Sequence, residues 1–317
     1  MLQGLAKAPF LCHTIGMNKG DTHMTKPLTH IEHPEDLILT GETWVLDAID
    51  AAGNASLKID GCPAIIWGTN PDTGKFGVST KSFFNKKKHK VCYTHADVDL
   101  LFGAIDNVCR ILHACLDYLP RTEGLYQGDF IGFGGNTHYT PNVLTYVFPE
   151  VVTETIIMAP HTRYAVNTPV WTSVPHSNPE FFVDTPDIKW VQPIVDKLQT
   201  KPQFARFDSS DYNWLTKREA AQAMVGINAL IKSGQEVTLS DLTDIIGDAN
   251  LAALYAMVKS CKQQVMDQFI IYNAPKCYLD GDKVQGEGFV FTTEYGVIKL
   301  VDREQFFYAT SQQRFMK

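Results

Sequence analysis

The stretch Ser56–Ser82 reads "SLKIDGCPAIIWGTNPDTGKFGVSTKS". Two β-rich runs, the first continuing through Ala64–Thr69 and the second covering Lys75–Ser79, flank a Pro71-Asp72-Thr73-Gly74 turn. Proline sets φ, the aspartate side chain bonds its own backbone and glycine supplies a positive φ, so this stretch predicts an antiparallel hairpin. At its head stands Lys58, two residues before Asp60-Gly61 and directly ahead of an apolar segment. A charged amine at the mouth of a buried strand is costly unless it is paired or put to use.

Working outward, "HPEDLILTGETWVLDAIDAAG" from His33 predicts two short helices, each with an acidic residue in its first turn. Leu101, Ile105, Val108, Leu112, Cys115 and Leu119 recur at three- and four-residue steps up to Pro120, which predicts one amphipathic helix. Strand-like runs follow at Gly124–Gly135, Asn142–Phe148 and Val151–Ala159, then an irregular Pro-rich section over 168–193. Leu215–Gly234 reads as a helix closed by glycine, and Asn250–Asn273 carries Leu251, Leu254, Val258, Cys261 and Val265 on one face. Gly286–Phe306 reads as strand, turn, strand. The predicted fold is α+β: antiparallel sheet over 26–199 and 273–317 around a helical insertion at 200–272, with residues 1–25 poorly structured and Met24 a plausible native start.

The 317 residues hold 28 Lys and Arg against 35 Asp and Glu, a net charge of −7. That balance argues against a long non-specific footprint on duplex nucleic acid and leaves room for a local basic patch. Seven cysteines, an odd number with no CxxC, read as reduced thiols in a cytoplasmic compartment, and no zinc site is signalled. No run of about 18 apolar residues occurs, so neither secretion nor membrane spanning is expected. His30 and His33 lack a third ligand at metal spacing and read as structural. His161 and Arg163 read as ordinary loop residues.

The order of short motifs gives the lysine a use. After Lys58-Ile59-Asp60-Gly61 come Thr80-Lys81-Ser82, Gly128-Asp129-Phe130-Ile131-Gly132, Tyr146-Val147-Phe148, Glu287-Gly288-Phe289-Val290 and Ile298-Lys299-Leu300. In this order the chain resembles the covalent nucleotidyltransferase superfamily, the ATP-dependent RNA and DNA ligases and mRNA capping enzymes, across about residues 56–306. It also looks similar over most of its length to tailed-phage proteins with the pattern "HPEDLIL…KxDGxPA…TKSxFN…VDREQF".

The resemblance implies an antiparallel ligase adenylation (ATP-grasp-like) core with a helical subdomain, and a lysine amine that attacks the α-phosphorus of ATP and holds AMP as a phosphoramidate. At a pKa near 10.4, about one lysine in a thousand or fewer is neutral at pH 7, so burial and a second cation are expected to lower the pKa of Lys58. On the family's pattern Lys58 is the nucleophile and Lys299 the second cation. Asp60 and Gly61 form the presenting turn, Gly61 through a backbone angle closed to other residues. Lys81 grips the nucleotide where the family has arginine. Asp129 stands where it has glutamate on the ribose, Phe148, with Tyr146 as substitute, stacks on the base, and Glu287 with Asp129 organises Mg²⁺ or Mn²⁺. Lys81, Lys86, Lys87, Lys88 and Lys90, with Phe83 and Phe84 beside them, form either a phosphate track or a solvated strand end. The family's closing strand has two lysines, K-x-K, and this chain has Lys299 alone.

Lys299 stands eighteen residues before Lys317, too few for the oligonucleotide-binding barrel of DNA ligases and capping enzymes. The reading is therefore an RNA ligase acting on nucleic-acid ends, RNA before DNA, in the cytoplasm, or the host cytoplasm if phage-encoded. The alternatives are a DNA nick-sealing ligase or capping-type guanylyltransferase, and a nucleotide-binding or virion-associated protein without turnover. Oligomeric state is open.

Overall fold

The stretch Ser56–Ser82 divides between two sheets. In the computed structural model, which describes residues 31–51, 53–85, 87–167, 170–175, 182–197 and 209–306, β1 (Gly53–Lys58) ends on the lysine. The chain crosses through Ile59–Pro63 before β2 (Ala64–Asn70) turns into β3 (Lys75–Ser79). The expected hairpin is the β2–β3 pair, with Ile66 opposite Ser79 and Asn70 opposite Lys75. Lys58 is not part of it. Gly61 and Pro63 interrupt the run, since proline offers no ladder N–H, and the lysine closes a strand that pairs elsewhere.

That strand lies in a three-stranded antiparallel sheet ordered β1, β14 (Gly288–Thr293), β15 (Val297–Val301). A six-stranded sheet runs β3, β2, β4 (Leu125–Phe133), β7 (Ile156–Asn167), β8 (Val170–Pro175), with β9 (Ile188–Trp190) added parallel to β7. A four-stranded sheet is ordered β13 (Asp282–Val284), β12 (Lys276–Leu279), β6 (Leu144–Val147), β5 (His138–Tyr139). β10 (Ile194–Lys197) and β11 (Phe269–Tyr272) pair with each other. The protein is thus mixed α+β with antiparallel sheets, the β7–β9 pairing excepted.

The two helices expected after His33 are α1 (Pro34–Ile38) and α2 (Trp44–Asp50). The single helix expected up to Pro120 is two, α3 (His95–Phe102) and α4 (Asp106–Tyr118), because Gly103, a poor helix former, closes α3 and leaves Ile105 exposed. The helical block is α5 (Lys217–Lys232), α6 (Leu239–Ile246) and α7 (Ala249–Met266). The helix read through Asn273 stops at Met266, since Phe269–Tyr272 are β-branched or aromatic and join β10 instead.

Alternation along the strands sorts the core. Leu57, Phe289, Phe291, Ile298 and Leu300 pack with α1, α2 and α7 residues such as Ile38, Ile49, Leu254 and Val258 in one cluster, so the helical block and the three-stranded sheet share a core. Ile65, Trp67, Tyr126, Phe130 and Met158 face α3 and α4. The opposite face of the six-stranded sheet carries Ile66, Leu125 and Tyr164 against Phe83, Phe84 and Val91. Among the described residues six cysteines are free thiols, and no helix is long and apolar enough to cross a membrane.

Candidate active site

Lys58-Ile59-Asp60-Gly61 is the junction of the three larger sheets. Lys58 lies opposite Gly288 of β14, and its Nζ donates to Oε2 of Glu287. Asp60 is held by the four-stranded sheet: its N–H donates to the Tyr146 hydroxyl (2.7 Å), that hydroxyl donates to the Asp60 carbonyl (3.2 Å), and Asn142 Nδ2 donates to the Asp60 carboxylate (2.7 Å). The six-stranded sheet takes the other end. Gly61 N–H points at Asp129 Oδ2 (3.4 Å), and Cys62 and Pro63 exchange backbone bonds with Phe130 (3.0 and 3.1 Å).

Directly opposed residues of a ladder share a face, so the pairings Ser56–Val290–Lys299 and Lys58–Gly288–Val301 put Lys58 and Lys299 on one side and the core residues Leu57, Phe289 and Leu300 on the other. Two glycines make the approach possible. Gly288 has φ +146° and a Cβ there would lie 2.2 Å from the Leu300 carbonyl oxygen, so no other residue fits opposite Lys58. Gly61 is needed for a different reason from the one expected. Its backbone angle is ordinary, but a Cβ would meet Asp129 Cβ and the Phe130 carbonyl at 2.7 Å.

The charge balance corrects a second expectation. Burial lowers the basicity of Lys58, yet the Glu287 carboxylate in contact with it, helped by Asp60 and Asp129, raises its pKa above the usual lysine value. Lys299 moves the other way: burial lowers it, opposed by Glu32, whose Oε2 is 4.0 Å from Nζ, with Lys58 a minor further push down. Burial and the Glu287 charge push the Asp60 carboxyl up to about 6. Three carboxylates crowding one ammonium are the donor chemistry a hard divalent cation takes, so Glu287, Asp129 and Asp60 fit Mg²⁺, with Lys58 and Lys299 available to phosphate. One consequence is directly measurable. Glu287→Gln removes the contact that holds Lys58 charged, so an amine-acylating reagent at fixed pH is expected to modify Lys58 several-fold faster in the variant, at about tenfold for each unit of lowered pKa. An unchanged rate in peptide mapping would show that Glu287 does not control the amine.

Other nominated residues lie elsewhere. Phe148 is 8% exposed with its ring edge-on to Tyr139 (5.6 Å), and Tyr146 is buried with its hydroxyl on Asp60, so neither ring offers an open platform. Lys81 is exposed on the 3₁₀ turn that follows β3. Lys87 and Lys88 are exposed, whereas Lys90 is tied to the Leu101 carbonyl (2.6 Å) and over the Phe102 ring; Lys86 lies outside the described residues. Phe83 and Phe84 are core, not base-stacking surface. His161 belongs to strand β7 rather than to a loop, and its Nε2 lies 3.6 Å from Asp129 and 3.3 Å from Gln127, which makes it a site neighbour that the sequence reading passed over. Arg163, on the same strand, is exposed. His30 and residues 1–25 lie outside the described residues.

A buried ionic cluster stands behind the two lysines. Lys262 of α7 donates to Glu35 of α1 (2.6 Å) and to the Val301 carbonyl (2.8 Å). Arg303 grips Asp36 with both terminal nitrogens (2.7 and 2.9 Å) and donates to the Tyr255 hydroxyl (2.7 Å). His33, 4% exposed, sits among these cations; burial first, then Arg303, Lys262 and Lys299, push its pKa far down, so it is neutral in the fold. In the sequence the segments concerned, "HPED" and "VDR", show only an acidic first helical turn and the end of a strand. The sign of the pH effect follows. Below 6.5 the unfolded chain takes a proton on His33 that the folded chain refuses, so the His33 contribution to stability is lost as pH falls, by about 2 kcal/mol between pH 7.5 and 5, while Asp36 and Asp60, whose carboxyls burial pushes up to about 7 and about 6, contribute in the opposite sense. Urea unfolding of His33→Leu at the two pH values is expected to lack that increment; an identical pH dependence would contradict the assignment.

The fold and site thus define a mixed α+β protein whose antiparallel sheets meet where strand β1 ends on Lys58. The family of unknown function DUF6267 matches residues 28–246 and 242–312, and the chain belongs to that family. No curated protein and no solved structure matches it.

Proposed function

We propose that this protein is an ATP-dependent polynucleotide ligase, of the RNA-joining class, that works through Lys58. The observation that supports it most is the company of that amine: Glu287 in contact, Asp60 and Asp129 beside it, and Lys299 on the same face of the sheet. Lys58, once its proton has passed to water, attacks the α-phosphorus of ATP. A P–N bond forms, the bond to the β-phosphate oxygen breaks and pyrophosphate leaves. A 5′-phosphate oxygen then displaces lysine from the nucleotide, and a 3′-hydroxyl displaces AMP as the phosphodiester closes. Mg²⁺ held by Glu287 and Asp129 would offset triphosphate charge. The order of release is set by Glu287: while its carboxylate holds Nζ the amine is charged and inert, and engagement of Glu287 elsewhere frees it.

A second reading, a nucleotide-binding protein without turnover, is favoured by two facts: the raised basicity of Lys58 and the burial of Phe148. Incubation with α-labelled ATP and Mg²⁺, with one portion then denatured to test for covalent label and a second, still folded, given 5′-phosphorylated RNA, separates the two. The ligase reading expects label fixed to the chain and then passed to RNA ends. Label fixed only from GTP would indicate a capping-type enzyme, and label fixed from neither supports the binding reading.

A further inference from the structure

We propose that the seam between α3 and α4 is a binding site for one borderline-soft divalent transition metal of the zinc class, ligated by Asp99, Cys109 and His113. The donors come one helical turn apart on two adjoining helices: His95 and Asp99 on α3, Cys109, His113 and Asp117 on α4. No CxxC spacing betrays them in the sequence. Cys109 Sγ lies 3.8 Å from Asp99 Oδ1, which lies 2.9 Å from His113 Nε2, and ligand atoms of the three residues fall within 4.8 Å of one another. The donors of a tetrahedral zinc centre stand roughly 3.3–3.8 Å apart, so the O···N pair must open by only a few tenths of an ångström. Sulfur and imidazole donors disfavour Mg²⁺ and Ca²⁺.

The groups behind His113 are arranged to support it as a ligand. His113 Nδ1 lies 2.7 Å from His95 Nδ1, and the rings meet edge to edge, their planes 19° apart and their centroids separated by about the N···N distance plus two ring radii. His95 Nε2 in turn lies 2.9 Å from Asp117 Oδ1. With a metal at His113 Nε2, His113 Nδ1–H would donate to His95 Nδ1 and His95 Nε2–H to Asp117, so every nitrogen of the pair has a partner. This is the carboxylate–histidine–metal arrangement that orients metal-bound imidazoles, extended by one ring. Binding as thiolate releases the Cys109 proton to solvent, His113 keeps its hydrogen on Nδ1, and solvent fills the remaining coordination position. The site clamps the two helices across the break at Gly103, on the face of the six-stranded sheet opposite Asp129, so it is separate from the Lys58 site.

The test uses the full chain, without a purification tag and treated with chelator, titrated with Co²⁺ in a thiol-free reductant. A thiolate-to-Co²⁺ absorption band is expected to saturate at one equivalent and to vanish on adding Zn²⁺. Cys109→Ser is expected to lose it, whereas Cys62→Ser, a change at an exposed thiol outside the seam, keeps it. His113→Ala is expected to weaken Zn²⁺ binding at least about tenfold, with unchanged far-ultraviolet dichroism, and Asp117→Asn to weaken it by about tenfold through the ring relay. Absence of a saturable band in the unmodified chain overturns the proposal, as does its persistence in Cys109→Ser or undiminished Zn²⁺ affinity in His113→Ala.

Discussion

Lys262→Met is expected to destabilise the protein by about 3–5 kcal/mol, the range seen when one partner of a buried ion pair is removed. Lys262 is 3% exposed and Glu35 is 1% exposed. Methionine fills much of the space of the lysine stem but leaves a buried carboxylate with the Arg303 Nε at 3.7 Å and the neutral His33 at 3.9 Å, both beyond hydrogen-bond distance, and leaves the Val301 carbonyl without this donor. Arg303 does not move to compensate, because Tyr255, Asp36 and Glu35 overcome the burial that would lower its pKa and hold it charged in its present grip. Replacing both partners, Lys262→Met with Glu35→Leu, is expected to restore part of the loss, since two apolar groups carry no unpaired charge. Urea unfolding of the single and double variants measures this. A loss under about 1 kcal/mol for the single change would mean that the α1–α7 pair is not what anchors these elements. The site would feel the loss, because Val301 sits in the same ladder row as Lys58 and Gly288.

Lys58→Ala is expected to abolish covalent capture of nucleotide while leaving the fold intact, for the side chain is about a third exposed and packs no core. Lys58→Arg is expected to be equally inactive, since a guanidinium is never neutral in a protein. Because Glu287 raises the pKa of Lys58, the reactive neutral fraction grows about tenfold per pH unit throughout the range below that pKa, and capture by the unmodified chain is expected to rise with pH accordingly. Glu287→Gln splits the two effects. Its amine reacts faster with acylating reagents, yet nucleotide capture falls, because the carboxylate proposed to hold the metal is gone. A parallel rise in both would remove Glu287 from the proposed reaction and leave it a simple brake.

Much of this was legible in the residues. The turn chemistry of Pro71–Gly74 gave the hairpin, and strand, turn, strand after Gly286 gave β14 and β15. Lys58 and Glu287, 229 residues apart, were nominated by motif order and are in contact. What escaped has physical causes. A run such as Leu57–Thr69 does not say which residues pair with which strand, so the change of sheet at Asp60–Pro63 was invisible. Period alone does not separate one helix from two when a single glycine, Gly103, sits on the polar side. Burial of Phe148 and of Lys90's stem depends on what packs over them, which no local pattern encodes. The direction of the Lys58 shift could not be read either, because it is decided by a carboxylate whose contact is tertiary.

The central claim is that the Lys58 amine becomes a nucleophile toward a nucleotide. Incubating the full chain with ATP and Mg²⁺ at mildly alkaline pH, denaturing it, and mapping its peptides by mass spectrometry tests that claim most directly. The account predicts an AMP adduct on the peptide carrying Lys58, acid-labile as a phosphoramidate is, and absent from Lys58→Ala. An adduct on another lysine, or none with ATP under conditions in which the chain is folded, would contradict it.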